Sequence, residues 1–194
     1  MTTKTLDQYR EEYKQKKLIT MPIAGTIIWL CLGIMALFVP AQTMVLPVYI
    51  GTGSIFYLAV FLSKFTGEKL IVKKEERNPF DSLFLYTLVM ALCGFAIAIP
   101  FGLKDYTAVP MSIGIILGLM WLPLSWTLEH NVGVIHTLLR TSSILVAWYL
   151  FPENSFVVIP FIIVAIYAIS LFQLITRYKA IHNQTTVHHS LSTQ

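Results

Sequence analysis

The chain has 194 residues, of which 56% are hydrophobic and 12% charged, with a formal net charge of +4. A soluble domain carries about 25% charged residues, so roughly half the charge needed to coat a water-facing surface is missing. That excludes a water-soluble globular domain. The apolar residues instead fall in blocks close to the ~20 residues that cross a hydrocarbon core about 30 Å thick.

Residues 1–17 form a polar N-terminal segment. Within it Thr5-Leu6-Asp7-Gln8 matches a capping box, and Leu6, Tyr9 and Tyr13 recur at helical spacing. Together they predict a short interfacial helix. Residues 18–175 then hold six apolar blocks, at 18–38, 44–63, 83–103, 107–127, 132–151 and 155–175. The first is longer than the ~7–15 residues of a signal-peptide core, and its leader carries Asp7, Glu11 and Glu12, so it reads as a retained helix. All six blocks are continuously apolar rather than alternating, which predicts helices and not a barrel. The expected fold class is therefore all-α, an integral membrane bundle of six transmembrane helices. Short separators predict antiparallel neighbours, and residues 64–82 form the one long connection. The tail, 176–194, is polar, and its end, with His182, His188 and His189, reads as disordered and solvated.

Lys and Arg set the orientation. Lys4, Arg10, Lys14, Lys16 and Lys17 precede the first block, Lys64, Lys69, Lys73, Lys74 and Arg77 lie in the long connection, and Arg177 and Lys179 follow the last. Six spans place those twelve on one side and only Lys104 on the other, which predicts both termini in the cytoplasm, in the cell membrane. The basic residues are interleaved with Asp7, Glu11, Glu12, Glu68, Glu75 and Glu76. Topology accounts for them, so no nucleic-acid partner is expected. Contact with anionic lipid headgroups is expected instead, at about 1 kcal/mol per basic residue.

Arg140, in the fifth block, is the base that topology leaves unexplained. At 100° per residue Glu129, Gly133, His136, Arg140, Ser143 and Ala147 lie within roughly 40° of one direction. An Arg at a helix centre costs about 2.5–3.5 kcal/mol, so this polar or small stripe should face protein or a hydrated cavity. No intramembrane acid is available to neutralise it. A boundary acid, backbone carbonyls, tyrosine hydroxyls or an anionic ligand remain. Ser170, Gln173 and Arg177 share one face of the sixth block, with Ser170 at the depth of His136. The candidate ligand-binding residues are thus Arg140, His136, Glu129, Ser143, Ser170 and Gln173, receiving an anionic solute or a lipid headgroup. The alternative is a non-catalytic scaffold whose stripe only packs helices. An Arg140 facing a solvent-connected cavity favours the first reading, and one capped by carbonyls the second.

Other features are less specific. Gly114 and Gly118 form a GxxxG pattern, permitting an oligomer contact or close packing within the chain. Pro123, between Trp121 and Trp126, predicts a broken or kinked helix. Leu32–Leu37 and Leu117–Leu122 are faintly similar, and a three-plus-three repeat built on them would be inverted. Cys31 and Cys93 read as reduced packing residues. No metal, cofactor or catalytic motif is found, and no embedded carboxylate suits proton-coupled cation export.

The run Trp121-Leu122-Pro123-Leu124-Ser125-Trp126, then Glu129-His130, Gly133, His136, Arg140 and Ala147-Trp148-Tyr149-Leu150-Phe151-Pro152-Glu153, resembles an uncharacterised family of small bacterial multi-pass membrane proteins. The resemblance spans about 35 residues. It implies a bacterial cytoplasmic-membrane location and no established activity.

Overall fold

The computed structural model describes residues 4–72 and 77–191, with side chains of the last helix described to residue 183. Among these residues the secondary structure is all-α. The helices are α1 (Leu6–Lys14), α2 (Thr20–Met35), α3 (Val45–Thr66), α4 (Pro79–Lys104), α5 (Val109–Leu119), α6 (Trp121–Leu128), α7 (Val132–Leu150) and α8 (Ser155–Leu191). Every predicted block carries helix. Four stretches, Ala41–Thr66, Pro79–Lys104, Tyr106–Leu128 and Pro152–Asn183, are long and apolar enough to cross a membrane. The 16 residues of α2 are fewer, and α7 includes His136 and Arg140 among its 19.

Local chemistry explains the boundaries. Thr5 caps α1, and both arms of the capping box form, Thr5 N–H to Gln8 Oε1 at 2.9 Å and Gln8 N–H to Thr5 Oγ1 at 3.3 Å. α3 ends at Gly67, whose φ of +75° suits a residue without a Cβ. Asn78 caps α4 by accepting from the Phe80 N–H at 3.0 Å. The fourth block breaks at Met120, between α5 and α6. Pro123 has no N–H for the carbonyl four residues back, so the kink lies one turn ahead of it.

Two expectations are corrected. The polar tail continues α8 through Leu191 where disorder was expected. Cys31 and Cys93 are free but exposed, on outward helix faces and not in the packed interior.

Alternate connections gather at opposite ends of the bundle. At one end α1 meets the turn after α6, the start of α4 and α8 just beyond the sixth block. Arg10 Nη1 bonds Glu129 Oε1 at 3.2 Å, Lys14 pairs with the same carboxylate, and Asn78 Nδ2 donates to Tyr9 O at 2.7 Å. Arg177 donates to the carbonyls of Lys14 and Lys16, each at 2.8 Å. At the other end Gln42 reaches Tyr106 Oη at 3.3 Å, Tyr106 reaches Glu153 at 3.4 Å, and Ser155 Oγ donates to Thr107 O at 2.8 Å.

The interior is built on α5 and α8, with Ile113, Ile159 and Ile163 fully buried beside Trp29 of α2 and Ile144 of α7. α3 and α4 flank it, and their outward faces expose apolar side chains in series, Ile50, Tyr57, Phe61 and Phe65 on α3 and Tyr86, Val89, Met90 and Ile97 on α4. Such continuous exposed apolar surface suits hydrocarbon and not water.

Candidate functional site

The structure separates two polar regions. The first is the α7 stripe. Arg140 is fully buried, and it fits because Gly118 has no side chain, since a Cβ there would sit 2.9 Å from Arg140 Cδ. Its Nε donates to Gly114 O at 2.8 Å, and its Nη1 lies 3.4 Å from His136 Nε2. His136 Nδ1 is 2.7 Å from Ser170 Oγ, and that hydroxyl donates to Ile166 O at 3.0 Å. The hydroxyl proton is therefore committed, so Ser170 accepts from His136 Nδ1–H. His136 is then a neutral imidazole whose Nε2 accepts from Arg140. The chain of donors ends on a helix carbonyl, Ile166 O.

The charge itself meets aromatic faces. The guanidinium carbon lies 5.7 Å from the Trp29 ring centre and 5.3 Å from that of Tyr167, within cation–π range. Arg140 Nη2 is the one guanidinium nitrogen with no hydrogen-bond partner. Trp121 closes the cluster, stacked on His136 at 3.9 Å and 10°. Thus His136, Arg140 and Ser170 come together as the helical spacing indicates, and one carbonyl, Gly114 O, the neutral His136 and two aromatic faces surround the guanidinium.

The remaining stripe residues are elsewhere. Glu129 is not on α7. It is the left-handed cap of α6 (φ +49°), exposed, and engaged by Arg10 and Lys14. Extrapolating helical angles across the Glu129–Asn131 turn put it on the wrong face. Ser143 is half-buried and makes no hydrogen bond to Arg140. Gln173 is half-buried with its Oε1 unpartnered. Trp29 and Tyr167 were unmarked in the sequence, because aromatic residues in apolar helices are common. Gly114 and Gly118 face inward, their vacant Cβ positions approached by Ile144, Ile163 and Arg140.

The second region is a cavity of about 660 Å3 between α3 and α4. The two helices meet at the far end, where Tyr49 Oη donates to Ala98 O at 3.3 Å and its ring lies 6.0 Å from that of Phe95. On the α1 side of that contact the cavity separates them. Thr52, Phe56, Leu88, Ala91, Leu92 and Leu117 line its depth, and Lys16, Lys17, Glu68, Lys69, Arg77 and Asp81 its mouth. Gly53 also lines it, and a Cβ there would meet nothing within 4 Å. Trp121 and Tyr167 form its rear wall, with the Arg140 cluster directly behind them and outside the cavity lining. The sequence marked the mouth as a headgroup-contacting basic cluster. The gap between helices has no sequence signature, because lining and outward faces are equally apolar.

No curated protein and no solved structure matches this chain. A family model described as a family of unknown function, DUF7010, matches residues 6–177. The chain belongs to that family of unknown function.

Proposed function

We propose that the chain is a six-span protein of the cytoplasmic membrane, with both termini in the cytoplasm, that binds an amphiphilic ligand between α3 and α4. The observation that carries this reading is the cavity, apolar in depth and charged at its mouth, where two long apolar helices meet only at one end. Small-molecule sites have this character, a concave apolar pocket of about 300–1,000 Å3 with few placed polar groups. The orientation is supported by charge. The α1 end holds the basic segments, and the opposite end holds Lys104. Closure at Tyr49 makes the cavity one that opens toward the cytoplasmic leaflet. In this reading the Arg140 cluster braces the rear wall and is not the ligand site.

The scaffold alternative has one observation in its favour, that the α7 stripe is absorbed in packing. Photo-crosslinking with an acyl chain carrying a diazirine distinguishes the two. Ligand binding predicts adducts on Phe56 and Leu88, inside the cavity, whereas a scaffold predicts adducts only on outward residues such as Tyr57 and Val89. Orientation is tested in a Cys31→Ser, Cys93→Ser background. An impermeant maleimide applied to intact cells should label Gln42→Cys and spare Gln8→Cys, and the opposite pattern would overturn the topology.

A further inference from the structure

We infer that the occupant of the α3–α4 cavity is an anionic glycerophospholipid of the cytoplasmic leaflet, its phosphate held by Lys17, Lys69 and Arg77. This rests on the cavity being the ligand site proposed above and adds the class of ligand.

Three observations carry it. The first is charge at the mouth. Asp81 is neutralised by Lys16 at 2.6 Å, Glu12 by Lys4, and Glu68 accepts the Ile19 N–H at 2.9 Å. The acids lining the mouth are thus engaged. Lys17, Lys69 and Arg77 pair with no carboxylate among the described residues. Lys17 lies 5.4 Å from the Tyr178 ring centre, and among the described residues Arg77 makes one long hydrogen bond, 3.4 Å to Val72 O. With Asp81 and Glu12 paired and Glu68 still charged, Lys17, Lys69 and Arg77 leave the described rim with a net charge of +2.

The second is length. Along α4 the cavity runs from Asp81 at the mouth to Phe95, about 21 Å at 1.5 Å per residue. One leaflet contributes half of a hydrocarbon core about 30 Å thick. The cavity thus spans a leaflet, as an acyl chain requires and a small free anion does not. The third is the depth itself, where Phe56, Leu88, Leu92 and Leu117 offer apolar side chains and Thr52 turns its hydroxyl to its own helix, donating to Val48 O at 2.6 Å. Along the α3 and α4 walls of the depth no side chain offers a free polar group to a hydrophilic tail.

The test uses the full-length protein stripped of lipid in detergent and read by native mass spectrometry. Phosphatidylglycerol and phosphatidylcholine with identical oleoyl chains are offered together, with inorganic phosphate as a third arm. Each basic residue near an anionic lipid contributes about fivefold (about 1 kcal/mol), so phosphatidylglycerol should be retained at least tenfold over phosphatidylcholine. The combined Lys17→Gln, Lys69→Gln, Arg77→Gln variant should erase that preference. Lys17→Arg with Lys69→Arg should keep it, which separates lost charge from lost folding. Equal retention of both lipids, each abolished by Gly53→Leu, would overturn the headgroup assignment and leave the cavity reading intact. Retention of phosphatidylglycerol unaffected by Gly53→Leu would overturn both. Displacement of phosphatidylglycerol by inorganic phosphate at equal concentration would overturn the lipid in favour of a free anion.

Discussion

The Arg140 cluster and the α3–α4 cavity adjoin across Trp121 and Tyr167, yet they treat positive charge in opposite ways. Arg140 is sealed, its Nε on a helix carbonyl, its Nη1 on a neutral His136 and its faces against two rings. Lys17, Lys69 and Arg77 stand at an open mouth with no carboxylate of their own among the described residues. Taking an ion out of water costs several kcal/mol, and it persists only where hydrogen bonds and geometry compensate. Arg140 has most of that compensation built in, with only Nη2 unpartnered. The rim cations do not, so their charge is available. A charge deep in an apolar sequence therefore marks a tightly packed junction here, and the proposed binding surface is placed instead where two helices part.

Substitutions at matched residue types can break this comparison, and the largest effect falls on the sealed side. A Cβ on Gly133 would lie 1.9 Å from the Trp121 carbonyl oxygen, a backbone atom that cannot swing aside. Gly133→Ala should cost about 4 kcal/mol or more, the range reserved for forced core rearrangement, and thermal unfolding reads it directly. An ordinary melting temperature would mean that α6 and α7 are not packed as described.

Arg140 follows. Arg140→Ala leaves a cavity and an unpaired Gly114 carbonyl, for an expected loss of about 2–5 kcal/mol. Arg140→Met fills much of the same volume but still leaves the Gly114 carbonyl and His136 Nε2 without their donor, a cost of about 1–3 kcal/mol for unsatisfied buried groups. Unfolding measurements should therefore rank Met between wild type and Ala. Were the two equally impaired, the charge itself would matter beyond packing.

On the open side the sign reverses. Gly53→Ala adds a methyl where nothing lies within 4 Å and removes a glycine from a helix interior. It should stabilise by up to about 1 kcal/mol, visible as a small rise in melting temperature. A fall would show that the cavity wall is closed there.

The smallest effect concerns the α1 strap at the cavity mouth. The Glu129 carboxyl is held below its ordinary range by the hydrogen bond and charge of Lys14, with a lesser contribution from Arg10. A lowered folded-state pKa means the contribution is complete above the ordinary carboxylate range and is lost as pH falls through the lowered value. Surface pairs are weak, so only α1 docking should respond. Protection of the α1 amides, corrected for the pH dependence of intrinsic exchange, should fall at acid pH in the wild type and change little in Glu129→Gln.

Much of the scaffold was legible in the sequence because it rests on local rules. The capping box at Thr5 and Gln8, the kink ahead of Pro123 and the helical blocks follow from spacing within a few residues. The His136–Arg140–Ser170 cluster was partly legible, since i, i+4 spacing and matched depth in adjacent helices place those side chains together. Its compensation was not, because Gly114 contributes a carbonyl that every residue has, and Trp29 and Tyr167 look like any aromatic in an apolar helix. Glu129 was misplaced because a turn resets the helical angle. The cavity was illegible for a different reason. In a sequence suited to hydrocarbon, a face lining a gap and a face meeting lipid have the same composition, so only the tertiary arrangement of α3 and α4 distinguishes them.

The central claim is that ligand binding belongs to the open cavity and not to the buried arginine. Phospholipid retention measured side by side on Gly53→Leu and Arg140→Met tests it most directly. The cavity account predicts that Gly53→Leu, correctly folded, loses bound lipid at least tenfold while Arg140→Met keeps the wild-type amount. Loss in Arg140→Met with retention in Gly53→Leu, both folded, would contradict it and return the site to the α7 stripe.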